Sequence, residues 1–291
     1  MKDLTKGTPA RVMIQFAVPV ALGNMFQLCY SLADTRVVGS TLGETALAAV
    51  GATASVSTLF IGFLSGLTSG FSLLIAREFG AGNQKGVKGY AAGSLLLGTI
   101  TALVLTFACM GSLKTILHLL NVPQELMDQA DSYIRVVLMG LIATMLYNAC
   151  AGILRAIGDT TAPLLFLICA AFLNVGLDIL FMAVLPLGVQ GAALGTVLAQ
   201  LVSVILCFLY IWKKYPVFHL KKEDFRLEIS LVKQMYTSGM SMGMMMSLVF
   251  FGTLALQCAI NTFGTEIIVA HTAARKVSEL YFLPISVMGM T

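Results

Sequence analysis

Long runs of apolar residues follow one another along the chain, and short polar stretches separate them. Runs of about 18 or more apolar residues with few charges are typical of transmembrane helices. The pattern therefore predicts an all-α membrane protein with about eight transmembrane helices. The predicted spans cover residues 13–38, 46–76, 89–117, 133–154, 162–186, 189–212, 235–260 and 265–291.

The polar stretches between the runs contain residue types that end helices or form turns. Gly, Asn, Pro and Asp concentrate at 78–86, 121–125, 155–163 and 185–191. Helices are favoured over a transmembrane barrel because each helix satisfies its own backbone hydrogen bonds in lipid. A barrel would need many short strands of alternating polarity, and the sequence lacks that pattern.

Composition supports the same class of protein. Of the 291 residues, 58% are hydrophobic and only 11% are charged, and the mean hydropathy is +0.89. A soluble domain usually carries about 25% charged residues because it needs a polar surface around its core. The composition therefore excludes an ordinary soluble domain.

The basic residues fall mainly on one side of the predicted membrane if the spans alternate from a cytoplasmic N-terminus. They are Lys2, Lys6, Arg11, Arg77, Lys85, Lys88, Arg155, Lys213, Lys214, Lys221, Lys222, Arg226 and Lys233. The loop at 121–131, on the opposite side, is acidic. This positive-inside pattern predicts a multi-pass protein of the plasma membrane with a cytoplasmic N-terminus. The net charge of +4 reflects this topology and does not indicate nucleic-acid binding.

The chain contains a weak internal repeat. Residues 41–65 align without gaps on residues 262–286, with Gly43 matching Gly264. Parallel repeats of an even number of helices are known in transporters. The alignment predicts a six-helix N-terminal lobe at 1–212 and a cytoplasmic linker at 213–234. Residues 235–291 are then the start of a second lobe that is truncated inside its second helix.

Two polar residues interrupt the fifth span. Asn174 and Asp178 are four residues apart and so share one face of a helix. An ionised Asp inside a membrane costs about 3 kcal/mol on insertion scales and needs partners. Asp34 in the first span and Thr196 in the sixth are candidates at similar depth. Such oxygen ligands suit a proton or Na⁺, although Asn174 and Asp178 could instead only hydrogen-bond neighbouring helices.

For the other polar residues in the spans, the sequence predicts less specific roles. Four of them could line a substrate cavity or simply hydrogen-bond between helices: Gln27, Tyr30, Asn148 and Gln200. The eighth span holds His271, Arg275, Lys276 and Glu279, of which Arg275 and Glu279 could pair along one face. No nucleotide-binding loop, catalytic triad or metal-spaced cysteine set is visible, so we predict no enzyme and no cofactor.

Several of these segments together resemble the multidrug and toxic compound extrusion (MATE) family. The resemblance rests on Pro19, on SLADTRVVGSTLGETALAAVG at 31–51, on LRAIGDTTAP at 154–163, and on Asn174, Asp178 and Thr196. It implies a monomeric antiporter of twelve helices in two six-helix lobes. Such a protein exports small amphipathic, often cationic, compounds in exchange for H⁺ or Na⁺.

The resemblance also implies which residues act. Asp34, Asn174, Asp178 and Thr196 match the family's N-lobe proton or Na⁺ site. Separately, Pro19 with Gly23 predicts a hinge in the first span, because backbone hydrogen bonding is broken there. Arg36 departs from the family pattern, and it could either snorkel to the membrane surface or pair with Asp34. Two alternatives stay open: a lipid-linked oligosaccharide flippase of the same superfamily, and a membrane fragment that does not transport.

Overall fold

The computed structural model describes the backbone of residues 9–290, with the side chains of 9–17, 20, 24, 249, 279–280 and 283–290 left out. The predictions on Lys2, Lys6 and the side chains of Arg11 and Glu279 therefore fall outside the described residues. The described part is all-α and contains no strand. Its long helices are α1 (Pro9–Leu42), α2 (Glu44–Gly80), α3 (Gln84–Leu119), α4 (Met127–Ala156), α5 (Thr161–Ile179), α6 (Val189–Lys214), α7 (Ile229–Asn261) and α8 (Thr265–Met290).

The polytopic all-α architecture predicted from hydropathy is confirmed. Six helices in the described part of the chain, α2 to α7, are long and apolar enough to cross a membrane. The other two, α1 and α8, are 34 and 26 residues long and so exceed the roughly 20 residues that a crossing needs. They pack against each other, and each also packs against α2.

The linker is shorter than the sequence predicts. Helix α6 continues to Lys214 and α7 already begins at Ile229, whereas the predicted linker runs from 213 to 234. Hydropathy marks only the apolar part of a helix, and the backbone hydrogen bonds continue beyond it. Between the two helices lie short 3₁₀ turns at Pro216–Phe218 and Lys222–Phe225.

Helix α2 lies against α7 along a seam of glycines. A Cβ atom placed on Gly66 would come within 2.7 Å of the Met242 carbonyl oxygen, and one on Gly70 within 2.6 Å of the Gly239 Cα. Small residues of this kind let two helix backbones approach closely in a membrane. The seam joins the six-helix segment to the first helix after the linker.

The aligned repeat has matching backbone geometry. Gly43 precedes α2 with φ of 85°, and Gly264 precedes α8 with φ of 88°, a left-handed region that favours glycine. Gly51 and Thr272 are equivalent positions in the alignment, and a Cβ on Gly51 would lie 2.0 Å from the Thr272 Oγ1. Contact between equivalent positions is what a pseudo-twofold axis between α2 and α8 produces.

Two buried clusters position the site. The larger contains side chains of α2, α3 and α4, among them Leu64, Phe71 and Met145. The smaller lies between α1, α2, α6 and the turn that follows α5, and it contains Val38, Ala46, Met182, Val189 and Ala192. Tyr133 of α4 packs against this second cluster, which adjoins the polar residues of the fifth span.

Candidate cation site

The polar residues of α5 are buried and joined to α6. Asn174 and Asp178 are 2% and 0% exposed, and both lie on the face of α5 that is turned away from lipid. The Asn174 amide donates to the Asp178 Oδ1 at 3.3 Å and to the Thr196 Oγ1 at 3.3 Å. Thr196 in turn donates to the Ala192 carbonyl at 3.2 Å. The structure therefore brings together the three residues that the sequence placed on the fifth and sixth spans.

Asp34 of α1 completes the group. Its carboxyl lies close enough to that of Asp178 for the two charges to act on each other. Two ionised carboxylates at close range repel each other, and a proton or another cation between them removes that repulsion. Helix α1 packs directly on α5, which explains how residues 144 positions apart in the sequence meet.

Three oxygens in this group have no hydrogen-bond partner among the described residues. They are the Asp34 Oδ1, the Asn174 Oδ1 and the Asp178 Oδ2, and all three are buried. Buried acceptors without a partner carry a desolvation penalty that a bound cation removes. Carboxylate and amide oxygens are the ligands that hard cations prefer. The donor set therefore fits a proton or a small cation such as Na⁺.

Backbone features make room for the Asp178 carboxylate. Gly195 of α6 faces it so closely that a Cβ there would lie 2.3 Å from the Asp178 Oδ1. Directly after α5 the chain forms a π-helical turn at Leu180–Val184. Turns of this type are found frequently at functional sites because they re-aim side chains within a helix.

A cavity of about 20 Å³ adjoins the group. Its lining includes Asn174 and Thr196 together with Tyr30, Tyr147 and Gln200. A volume of at least about 10–15 Å³ holds one water molecule, so the cavity has the size of a water or an ion. It is too small for a drug-sized compound, for which pockets of roughly 300 Å³ or more are usual.

Of the four residues predicted to line a substrate cavity, two lie at the small cavity and two do not. Tyr30 and Gln200 line the small cavity, whereas Gln27 is exposed and is not among its lining residues. Asn148 is half-buried and is not among the lining residues, whereas the neighbouring Tyr147 is. Tyr147 was missed because an aromatic residue in an apolar span gives no signal of its own.

The predicted hinge lies in a continuous helix. Helix α1 runs through Pro19 without interruption, although proline cannot donate the hydrogen bond to the carbonyl four residues before it. Gly23 is buried, and a Cβ there would meet only ordinary contacts, 3.6 Å to the Leu164 Cδ1. The hinge stays a prediction.

The basic side chain near Asp34 is that of Lys276 on α8 and not that of Arg36, which lies on the same helix as Asp34. Arg36 is exposed, whereas the Lys276 Nζ donates at 2.7 Å to the Ser31 Oγ, one turn before Asp34. The Lys276 charge acts on the Asp34 carboxyl. From the sequence, Lys276 could be recognised only as part of a charged patch, because the sequence does not reveal which helix α8 contacts.

A second polar cluster lies at the predicted cytoplasmic end. The Asp159 carboxylate accepts hydrogen bonds from Tyr215 at 2.6 Å, Tyr210 at 2.8 Å and Lys214 at 3.3 Å. It also accepts from the backbone N–H of Ala162 at 3.2 Å and so caps the start of α5. Burial raises the pKa of Asp159, but these hydrogen bonds outweigh burial and hold it below its usual value.

Within the described residues, no group of three or more His, Cys, Asp or Glu side chains is arranged to hold a metal ion. The group that the structure brings together consists of two carboxyls, one amide and one hydroxyl. An all-α polytopic membrane protein with such a site between its helices has the features of the transporter class.

The chain belongs to the MatE family. A family model described as MatE matches residues 19–180, which include Asp34, Asn174 and Asp178. The probable multidrug resistance protein YpnP of Bacillus subtilis (strain 168) is 26% identical over 290 residues, which cover 99% of this chain and 64% of the relative.

Two solved structures described as a multidrug resistance MATE family transporter of the MOP superfamily are similar to the chain. The outward-facing structure has a TM-score of 0.86 at 28% identity, and the match covers 98% of this chain and 63% of the chain in that structure. The inward-facing one has a TM-score of 0.82 at 28% identity, with 94% and 63% covered. The chain thus spans less than two thirds of the length of these relatives.

Proposed function

We propose that the protein is a cation-coupled antiporter that exports small amphipathic, often cationic, compounds from the cell. The observation that carries the proposal is a group of three buried oxygens, on Asp34, Asn174 and Asp178, that have no hydrogen-bond partner among the described residues. Family membership and relatives named as multidrug resistance proteins support the export of such compounds. The coupling ion is H⁺ or Na⁺.

The mechanism follows from the charge of this pair. When both carboxyls are ionised they repel each other, and α1 and α5 are driven apart. Arrival of a proton or Na⁺ neutralises that repulsion and lets α1 pack against α5. Because α1 contains Pro19, the helix is already weakened where it would bend. Coupling is then the difference in cation affinity between two conformations. That outward-facing and inward-facing structures are described for similar transporters supports this scheme.

The proposed setting is the plasma membrane, with the N-terminus in the cytoplasm. This orientation places the basic residues at 213–226 inside and the acidic 121–131 loop outside. Substrate would then bind from the cytoplasm and leave outside while the cation moves inward.

The experiment that tests the proposal uses Asp178→Asn in the full-length gene product. We expect the loss of cation-driven drug efflux from proteoliposomes, by about 100-fold or more, because a neutral amide cannot exchange a proton or hold a cation by charge. Expression and monodispersity should match the wild type. Asp128→Asn, an exposed acid at the start of α4, is the control and should transport normally.

Retained efflux in Asp178→Asn contradicts the assignment of coupling to this site. If the wild-type protein binds a drug but moves neither drug nor cation across liposomes, the alternative of a membrane protein that does not transport is favoured.

A further inference from the structure

A second and larger cavity lies at the predicted cytoplasmic end of the bundle. Its volume is about 430 Å³, within the roughly 300–1,000 Å³ that is usual for pockets of small ligands. Three parts of the chain enclose it: the connection between α2 and α3, the turn after α4, and the end of α6 with the start of the linker. It shares no lining residue with the small cavity beside Asn174.

The wall of this cytoplasmic cavity is mostly apolar and carries one charged side chain. Phe79, Ile157 and Val217 are among its apolar residues, and Gln84 and Lys214 are among its polar ones. None of the described lining residues is acidic. A matching ligand therefore has an apolar part and a negatively charged group.

Lys214 can contact such a group from a fixed position. An ammonium group has three N–H donors, and the described contacts use two of them, to the Asp159 carboxylate at 3.3 Å and to the Tyr210 hydroxyl. The Nζ also lies over the rings of Tyr210 and Tyr215, 4.7 and 5.4 Å from their centroids. The side chain is nevertheless half-exposed, so its remaining donor is accessible to a ligand.

The segments around the cavity are basic. Residues 77–88, 155–159 and 213–217 include six Lys or Arg residues and two acids, Glu78 and Asp159. The Glu78 oxygens accept from Arg77 at 3.1 Å and from Asn83 at 2.8 Å, and the Asp159 carboxylate is engaged by the cluster described above. A cationic ligand would have to displace these donors, whereas an anion meets an excess of positive charge.

The cavity lies at the depth of the lipid headgroups. Helix α6, which ends at Lys214, has 26 residues and is about 39 Å long, which exceeds the roughly 30 Å of the hydrocarbon core. Trp212 is exposed just before this end, and exposed tryptophans are typical of the membrane–water interface. Basic pockets between transmembrane helices on the cytoplasmic side bind the headgroups of anionic lipids in other membrane proteins.

We propose that this cavity binds an anionic phospholipid of the cytoplasmic leaflet, with its phosphate on Lys214 and its apolar part against Phe79, Ile157 and Val217. The lipid contacts both the bundle and the linker, so it adds to the attachment that Asp159 provides. The binding site does not depend on cation coupling. Only its assignment to the cytoplasmic leaflet rests on the orientation in the proposed function.

The test measures ligand binding to the purified, delipidated full-length gene product by native mass spectrometry in detergent. Dioleoyl phosphatidylglycerol, dioleoyl phosphatidylcholine and inorganic phosphate are titrated separately. We expect one phosphatidylglycerol to bind at least about fivefold more tightly than phosphatidylcholine, since one basic residue near a headgroup has an effect of that size. Inorganic phosphate, which has no apolar part, should not displace it at equal concentration.

Gln84 allows the charge of the cavity to be changed with little change in size. Gln84→Glu should weaken phosphatidylglycerol binding about fivefold, and Gln84→Lys should tighten it by a similar factor. Because an acid in the first turn stabilises a helix, Gln84→Glu should fold at least as well as the wild type. Lys222→Gln is the matched control, since it removes an exposed basic residue of the linker that does not line the cavity, and it should bind like the wild type.

Four outcomes overturn the proposal. They are equal affinities for the two lipids, unchanged phosphatidylglycerol binding in Gln84→Glu, weaker binding in Gln84→Lys, and a loss in Lys222→Gln as large as that in Gln84→Glu. Displacement of the lipid by inorganic phosphate at equal concentration also contradicts it and assigns the cavity to a free anion. None of these results changes the expectation for Asp178→Asn, so the two proposals fail separately.

Discussion

At the scale of single residues, the site depends on the space around one carboxylate. Asp178 is fully buried, and it keeps its position because Gly195 on the facing helix has no side chain. Asn174 holds the same carboxylate through its amide N–H and leaves its own carbonyl oxygen for a cation. The geometry thus depends on the absence of a methyl group as much as on the polar atoms.

Gly195→Ala should weaken cation binding by roughly tenfold to a hundredfold, because displacing a reacting group by about 1 Å has effects of that size. The added Cβ would lie 2.3 Å from the Asp178 Oδ1, so the carboxylate has to move. The measurement is the concentration of Na⁺ or H⁺ that half-saturates drug efflux.

Gly176→Ala is the matched control for this substitution. Gly176 lies on α5 two residues before Asp178, and a Cβ there has no atom of the protein within 4 Å. Its half-saturating cation concentration should equal that of the wild type. Equal values for both variants would show that Gly195 does not position the carboxylate.

At the scale of helices, the backbones of α2 and α7 pack directly against each other along the glycine seam. Gly70 approaches the backbone of Ser238 and Gly239, and the Ser238 hydroxyl donates to the Gly70 carbonyl at 3.0 Å. Near the other end of α7, the Asn261 amide donates to the Ala52 carbonyl of α2 at 3.5 Å. Close backbone packing and buried hydrogen bonds therefore act along the same interface.

Gly70→Ala should destabilise the protein by about 1–3 kcal/mol, the usual cost of inserting a methyl group into a packed interface. The atoms that it meets belong to the backbone, which cannot rotate away as a side chain can. Thermal unfolding in detergent measures the effect. Gly80→Ala, in the same helix and without an atom within 4 Å, should unfold at or above the wild-type temperature. A wild-type unfolding temperature for Gly70→Ala would contradict close packing at this seam.

At the scale of the whole molecule, Asp159 connects parts of the chain that are far apart in sequence. Its hydrogen bonds join the turn between α4 and α5 to the end of α6 and to Tyr215 at the start of the linker. Burial raises the pKa of the Tyr215 hydroxyl, and its hydrogen bond to the carboxylate adds to that effect. The cluster therefore anchors the linker to the helical bundle.

Acidification should weaken this anchor. The pKa of Asp159 is lower in the folded protein than its usual value of about 3.9, so the carboxylate stabilises the fold above that pH. The stabilisation is lost as the pH falls below about 4 and through the lowered pKa. Unfolding temperatures between pH 7 and pH 3 should fall less steeply in Asp159→Asn than in the wild type.

Glu223→Gln, which removes an exposed carboxylate of the linker, is the control for the pH experiment. Its unfolding temperature should follow the wild-type curve over the same range. Identical curves for Asp159→Asn and the wild type would contradict an anchoring role for the Asp159 carboxylate.

Hydropathy alone predicted the helices well because the need to satisfy backbone hydrogen bonds in lipid is local to each segment. It could not predict that α7 begins at Ile229, since the first turns of that helix are polar. The grouping of Asn174 with Asp178 followed from their spacing, and Asp34 was a candidate partner from its depth in the first span, to which the family resemblance also pointed. Neither source predicted Tyr147, Gly195 or the contact of Lys276 with Ser31.

The sequence by itself determined that the protein is a bundle of membrane helices with acidic residues inside it. Charge and hydropathy are properties of each residue type, so they can be read from the sequence without knowing which residues lie nearby in the fold. The tertiary structure alone decided which faces of the helices meet. That choice depends on the packing of whole surfaces, such as α1 on α5 and α8, and it brought Asp34 of α1 near Asp178 of α5 and Lys276 of α8 onto Ser31 of α1.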